Sequence, residues 1–351
     1  MNGFIALFSQ AIEQLRLAAV NVPGLAPLAD APFLFRPLVM VVLLGIVAGV
    51  IGVIINLRSA EFSAEAMVHA VFPGIVAGAV YWGINAIIPA ASVVAVAAAL
   101  VLTLVSHRSR RGEASEAGTA VVLTSFFSIG LILSLAKGDM SGQLEALMFG
   151  RLLEVTDERL AQALIVCAVA LVLIMTTWKE QIAYAFDRTG ARASGLRLLA
   201  LDLALNTAIA AAVVSASTAV GTLLVIGYLV IPGATARILV SRVRTMVLVA
   251  IGVGVGGGYL GMLLMALPAT LDKPISPQAS VALVMTAILL LAVGVTAARE
   301  RLCRPARRAR SAQSAQVSTT TARSADSCAA SPDESASTEG AAVPMAEGSR
   351  A

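Results

Sequence analysis

A chain of 351 residues that is 58% hydrophobic and only 13% charged lies well outside the composition of soluble globular domains. Its apolar runs are long enough to cross a hydrocarbon layer of about 30 Å, so it reads as an all-α, polytopic transmembrane helical bundle embedded in a lipid bilayer. The net charge of +4 does not point to nucleic acid, because the basic residues gather between the apolar runs as they do in membrane loops.

The first residues, Met1-Asn-Gly-Phe-Ile-Ala-Leu-Phe8, lack the basic region of a signal peptide, and Glu13 and Arg16 interrupt the apolar stretch, so no cleavage is expected. Residues 4–20 carry Gln10, Glu13, Gln14 and Arg16 at helical spacing, which predicts a helix lying on the membrane surface. Residues 21–37, with Pro23, Pro27, Pro32 and Pro37, read as loop, so residues 1–36 form an N-terminal surface helix and loop.

Apolar spans are predicted over 37–57, 66–88, 90–106, 119–136, 159–178, 198–216, 219–236, 246–266 and 279–298, giving about nine helices in a membrane domain of residues 37–298. Eight result if 198–236 is one broken helix. A nine-span path with the C-terminus inside places 19 of the 25 Lys and Arg on the inner side, among them Arg58, Arg108, Lys179, Arg188 and Arg237. Cytoplasmic retention of basic residues then orients the chain with its N-terminus out and its C-terminus in the cytoplasm of a plasma-membrane protein.

The stretch richest in chemistry is Ser63-Ala-Glu-Ala-Met-Val-His-Ala-Val-Phe-Pro-Gly-Ile-Val-Ala-Gly78. Glu65 and His69 stand four residues apart and share a helix face. Pro73 has no N–H for the carbonyl of His69, and Gly74 follows it. A carboxylate, an imidazole and a freed carbonyl together suit a divalent cation, and ionisable groups inside a membrane mark pathways. The residues alone equally fit a carboxylate favoured at a helix N-terminus and a histidine that hydrogen-bonds a neighbouring helix.

The outer segment 137–159 mixes Asp139, Glu145, Glu154 and Asp157 with Leu144, Met148, Phe149 and Leu153, a composition suited to an interfacial helix or a dock for a binding protein. The inner segment Lys179 to Arg197 is too polar to span; Ala183, Tyr184, Phe186 and Leu196 are its candidate anchors, and Gly190 and Gly195 permit turns around a short helix. Pro232 breaks the seventh span at the carbonyl of Tyr228, beside Gly221, Gly227 and Gly233. Glycines 252 to 261 of the eighth span suit close helix packing, including packing across a homodimer. Residues 299–310 carry six arginines suited to anionic lipid, and from Ser311 onward the chain reads as a disordered tail.

Three blocks resemble the membrane subunits of metal-ion ABC importers, the zinc, manganese and iron permease family. They are Glu65-x-x-x-His69-Ala-Val-Phe-Pro73-Gly74, Ala185-Phe-Asp-Arg-Thr-Gly-Ala-Arg-Ala-Ser-Gly195, and Ala219 to Arg237 around Pro232. The resemblance spans residues 33–298 and departs from the family at Glu65, where Asp is usual, and Ala64, where Gly is usual. It implies that Glu65 and His69 meet the transported zinc, manganese or iron. It implies too that the segment around Phe186, Gly190 and Gly195 couples to a separate ATP-binding subunit, and that an extracytoplasmic metal-binding protein delivers the ion.

The chain has no Gly-x-x-x-x-Gly-Lys-(Ser/Thr) loop and no His-Glu-x-x-His motif, and its two histidines cannot build a three-histidine zinc site. No enzymatic site and no permanently bound cofactor are therefore expected; any ATP is hydrolysed by a partner. Cys167, Cys303 and Cys328 have the spacing of neither a disulfide framework nor a zinc ribbon. A self-contained, ion-coupled secondary transporter would also carry broken helices and a midplane carboxylate, and is the alternative reading.

Overall fold

A computed structural model describes residues 2–22, 24–108, 112–136, 150, 152–266, 276–299 and 301. The tail beyond residue 301, with Cys303 and Cys328, and most of the outer segment, residues 137–149 and 151, lie outside the described residues. Packing divides the chain into a unit of residues 1–296 and a second of residues 297–351.

The first unit opens with α1 (Asn2–Val20) and the short α2 (Ala26–Ala29), followed by α3 (Pro32–Arg58). The second crossing is assembled from α4 (Glu61–Ala70), α5 (Phe72–Ala77) and a π-helical turn Gly78–Trp82. Then come α6 (Ile87–Arg108), α7 (Gly112–Leu135), α8 (Asp157–Thr176), α9 (Trp178–Phe186), α10 (Arg188–Ala193), α11 (Leu198–Val220), α12 (Thr222–Leu239) and α13 (Val243–Ala266). The last, α14, spans Pro277–Arg299. Among the described residues there are no strands.

The most buried helix is α3, whose Ile51, Val53, Ile54 and Ile55 are fully enclosed by α8, α12 and α13. In lipid an apolar face gains little by turning inward, so close contact must come from small residues that let backbones meet. Gly45, Gly49 and Gly52 supply that face. A Cβ on Gly45 would lie 2.7 Å from the Gly254 carbonyl carbon, and one on Gly49 2.7 Å from the Ile251 nitrogen. At Gly52 it would collide with the Leu229 carbonyl of α12. Thus Gly254, Gly258 and Gly261 of the eighth span are used within the chain, against Gly45, Val41 and Val281, whereas Gly252 and Gly256 meet no neighbour.

Side-chain bonds mark the two ends of the bundle. At one, Arg36 near the start of α3 grips Asp157 at the start of α8, at 2.6 and 3.0 Å, and Ser9 of α1 donates to the same carboxylate at 3.0 Å. At the other, Arg58 closes α3 beside α9 and α11.

Among the described residues, eight helices are long and apolar enough to cross a membrane, and α12, at 18 residues, is a shorter apolar helix. Residues 198–236 are not one broken helix. Gly221 adopts φ 83°, a left-handed conformation that glycine enters freely, and α12 then returns until Arg237 donates to the Asn56 carbonyl near the Arg58 end.

Two expectations are corrected. Residues 21–37 are not all loop: Pro32 opens α3, where a missing N–H costs nothing, and Pro37 sits in its second turn. The third span, expected over 90–106, runs instead to Arg108, so His107 belongs to the last turn of α6 and bonds Asp202.

Candidate functional site

The turn between α3 and α4 is short and fixed. Ser59 takes φ 51°, the αL conformation that stops a helix, and the Ala60 N–H reaches the Ile55 carbonyl at 2.9 Å. From there α4 carries Glu65, which is exposed, and His69, which is half-buried. The His69 ring stands edge-on to Phe127 of α7, with centroids 5.4 Å apart at 84°, and Phe127 also packs on Phe72 at 5.2 Å. His69 is therefore walled on one side by an aromatic ring, while Glu65 faces outward from the same helix face.

Pro73 ends α4 and opens α5 with it near the first turn. The Val71 N–H is directed to the carbonyls of both Met67 and His69, so the His69 oxygen that Pro73 cannot serve is shared rather than wholly free. Gly74 lets α5 lie against α6: a Cβ there would stand 2.8 Å from the Ala91 Cα and the Val94 Cβ. Across the break, Gly130 of α7 makes room for Phe72 and for the Pro73 nitrogen. Among the described residues no group of three or more His, Cys, Asp and Glu could hold a metal ion.

The second constellation lies at the Arg58 end, where a cavity of about 1290 Å³ is bordered by Ser63, His107, Tyr184, Arg188, Asp202 and Asn206, among others. Asp202 of α11 is its centre. One carboxylate oxygen accepts from Arg58 of α3; the other faces His107 Nε2 of α6 at 2.6 Å and accepts from the Tyr184 hydroxyl of α9 at 3.3 Å. Arg58 also donates to Gln181 Oε1 at 2.7 Å and lies 4.0 Å from the centre of the Tyr184 ring, a cation–π contact. Gln181 is fully buried and donates in turn to the Leu201 carbonyl at 2.9 Å. Burial, helped by Asp202 and opposed by Arg58 and Arg188, raises the Tyr184 phenol above its ordinary range, so it remains a donor.

Sequence reasoning missed this group: Arg58 counted only as a loop charge, and Asp202 passed unnoticed inside a span. A lone carboxylate within an apolar helix was the available signal.

Beyond Gln181 the polar segment folds as α9 and α10. Asp187 caps α10 by accepting from the Thr189 and Gly190 N–H groups, each at 2.9 Å. A Cβ on Gly190 would strike that carboxylate, and Gly195 ends the segment at φ 81°. Of the expected anchors, Tyr184 is turned inward, whereas Phe186 is 74% exposed. Pro232 lies inside α12, where the neighbouring Val230 carbonyl receives the Asn56 side chain at 3.3 Å and Gly233 packs on Gly52.

The sequence pattern of the ABC 3 transport family matches residues 30–296. A manganese transport system membrane protein, MntC, of Listeria monocytogenes is 34% identical over 231 residues, covering 66% of this chain and 80% of that protein. The chelated iron transport system membrane protein YfeC of Yersinia pestis is 32% identical over 212 residues, covering 60% and 70%. Among solved structures, PsaBC from Streptococcus pneumoniae, in complex with Fab, superposes with a TM-score of 0.65 at 25% identity, covering 77% of this chain and 94% of that one. Since the family pattern covers the helical bundle almost from end to end, broken second crossing and polar α9–α10 segment included, the chain belongs to the ABC 3 transport family.

Proposed function

We propose that this chain is the membrane-spanning subunit of an ATP-driven importer that carries a divalent metal ion past Glu65 and His69. A separate ATP-binding subunit supplies the energy by engaging the α9–α10 segment, an extracytoplasmic metal-binding protein delivers the ion, and a second permease chain completes the pathway. The observation that carries the reading is Phe186, 74% exposed between two short helices at the Arg58 end. An exposed aromatic on a capped helical turn suits insertion into a groove on a partner. The two relatives are named for manganese and for chelated iron, which favours those ions as cargo; zinc remains a candidate for an imidazole and a carboxylate. In this reading the Arg58 end and the tail from residue 299 are cytoplasmic, and residues 1–36 lie at the outer surface.

The pair suits passage better than storage. A site that must release its ion is better built from two side chains and water than from a closed cage of four ligands. The test is reconstitution of this chain with its ATPase and binding protein in liposomes. Uptake of manganese or iron should require ATP and all components, and deletion of residues 185–195 should abolish it while insertion persists. Uptake by this chain alone from an ion gradient would replace the reading with a secondary transporter.

A further inference from the structure

Asp202 joins four elements at one carboxylate. Arg58 brings α3, His107 brings α6, Tyr184 brings α9, and Asp202 itself belongs to α11. The centre is mostly shielded: the side chains of Arg58 and Asp202 are 10% and 17% exposed. Gln181 makes a second tie from α9, accepting from Arg58 and donating to the backbone of α11. Charged groups shielded to this degree hold one geometry firmly, because any displacement leaves a charge or an amide without its partner. The other charged groups bordering the cavity, Glu116, Arg188, Arg192 and Arg197, are exposed.

What this geometry fixes matters for transport. Arg58 is the last residue of α3; the αL turn at Ser59 follows, and Glu65 lies about one turn along α4. A displacement of α9 is thus carried by Arg58 into the rigid turn that places Glu65 and His69, through groups in continuous contact. We propose that Asp202 is the positioning residue of this relay, holding the α9–α10 segment, Arg58 and His107 as one body so that movement of the segment reaches the ion ligands. The inference rests on the reading of the chain as an ATP-driven permease.

The experiment uses the full complex of this chain, its ATPase and its binding protein in liposomes, with uptake of manganese and ATP hydrolysis measured on the same sample. Asp202→Asn keeps the shape and removes the charge. Hydrolysis should stay within about twofold of the parent, while ions moved per ATP fall at least tenfold; Asp202→Glu should recover much of the loss. Should Asp202→Asn fail to reach the membrane, Gln181→Leu cuts the second tie without touching the carboxylate and should uncouple in the same way. Unchanged ions per ATP in whichever variant assembles overturns the relay, as does a parallel fall in hydrolysis and uptake. If the unmodified complex moves manganese without ATP, it is the permease reading that fails.

Discussion

At the scale of single residues, the polar side chains of this bundle divide into proposed ligands and ties. Glu65 is exposed and His69 meets Phe127 of α7 edge-on, whereas Arg58, Gln181 and Asp202 are each bonded at least twice. We therefore expect His69→Ala and Glu65→Ala each to cut uptake at least ~10-fold at unchanged membrane abundance, on the scale set by loss of metal-site partners. Glu65→Asp, the family's usual residue, should retain uptake. Full transport by the double alanine variant would move the pathway elsewhere. Tyr228 makes a different case: it is fully enclosed on α12, and among the described residues its hydroxyl has no hydrogen-bond partner. An unmet hydroxyl costs about 1–3 kcal/mol, so Tyr228→Phe should unfold at the same or a higher temperature in detergent. A clear fall would reveal a partner for the hydroxyl, such as an ordered water.

At the scale of elements, the helices are placed by glycine as much as by apolar side chains. Gly52 faces the Leu229 carbonyl, and an added methyl has nowhere to go except by parting α3 from α12. Gly52→Ala should cost about 1–3 kcal/mol, as overpacking does. Gly252 has open space around it, and alanine favours helix over glycine by up to about 1 kcal/mol, so Gly252→Ala should be neutral or stabilising. Thermal unfolding of the two variants side by side checks the contrast, and a loss at Gly252 would mean that another chain packs there. At Gly221 the backbone itself is the constraint: φ 83° with ψ 156° lies in a region used essentially by glycine alone, where strain costs of order 1–3 kcal/mol, and Gly221→Ala should loosen the reversal between α11 and α12.

For the whole molecule, the proposed orientation rests on the placement of Arg58, Arg188, Arg192, Arg197 and Arg237 toward one end, which basic residues would hold in the cytoplasm. A cysteine placed at position 190 should be shielded from an impermeant reagent added outside intact cells and labelled after permeabilisation; labelling from outside reverses the topology. The bundle, its spans and the polar α9–α10 segment were legible in the chain, because lipid demands long apolar runs and leaves polar stretches at the surface. The pair Glu65 and His69 was legible for a similar reason, as ionisable groups four residues apart stand out in an apolar helix. Tertiary structure alone decided the rest. Whether 198–236 is one helix or two turns on the backbone angle of Gly221, which composition does not reveal. The glycines of α13 could have met another chain, and instead most of them meet α3 and α14, because the match of Gly45 to Gly254 exists only once the two helices lie side by side. The union of Arg58, His107, Gln181 and Asp202 draws on residues up to 144 positions apart, and a hydrogen-bonded centre of that kind exists only where folding brings four helices to one point.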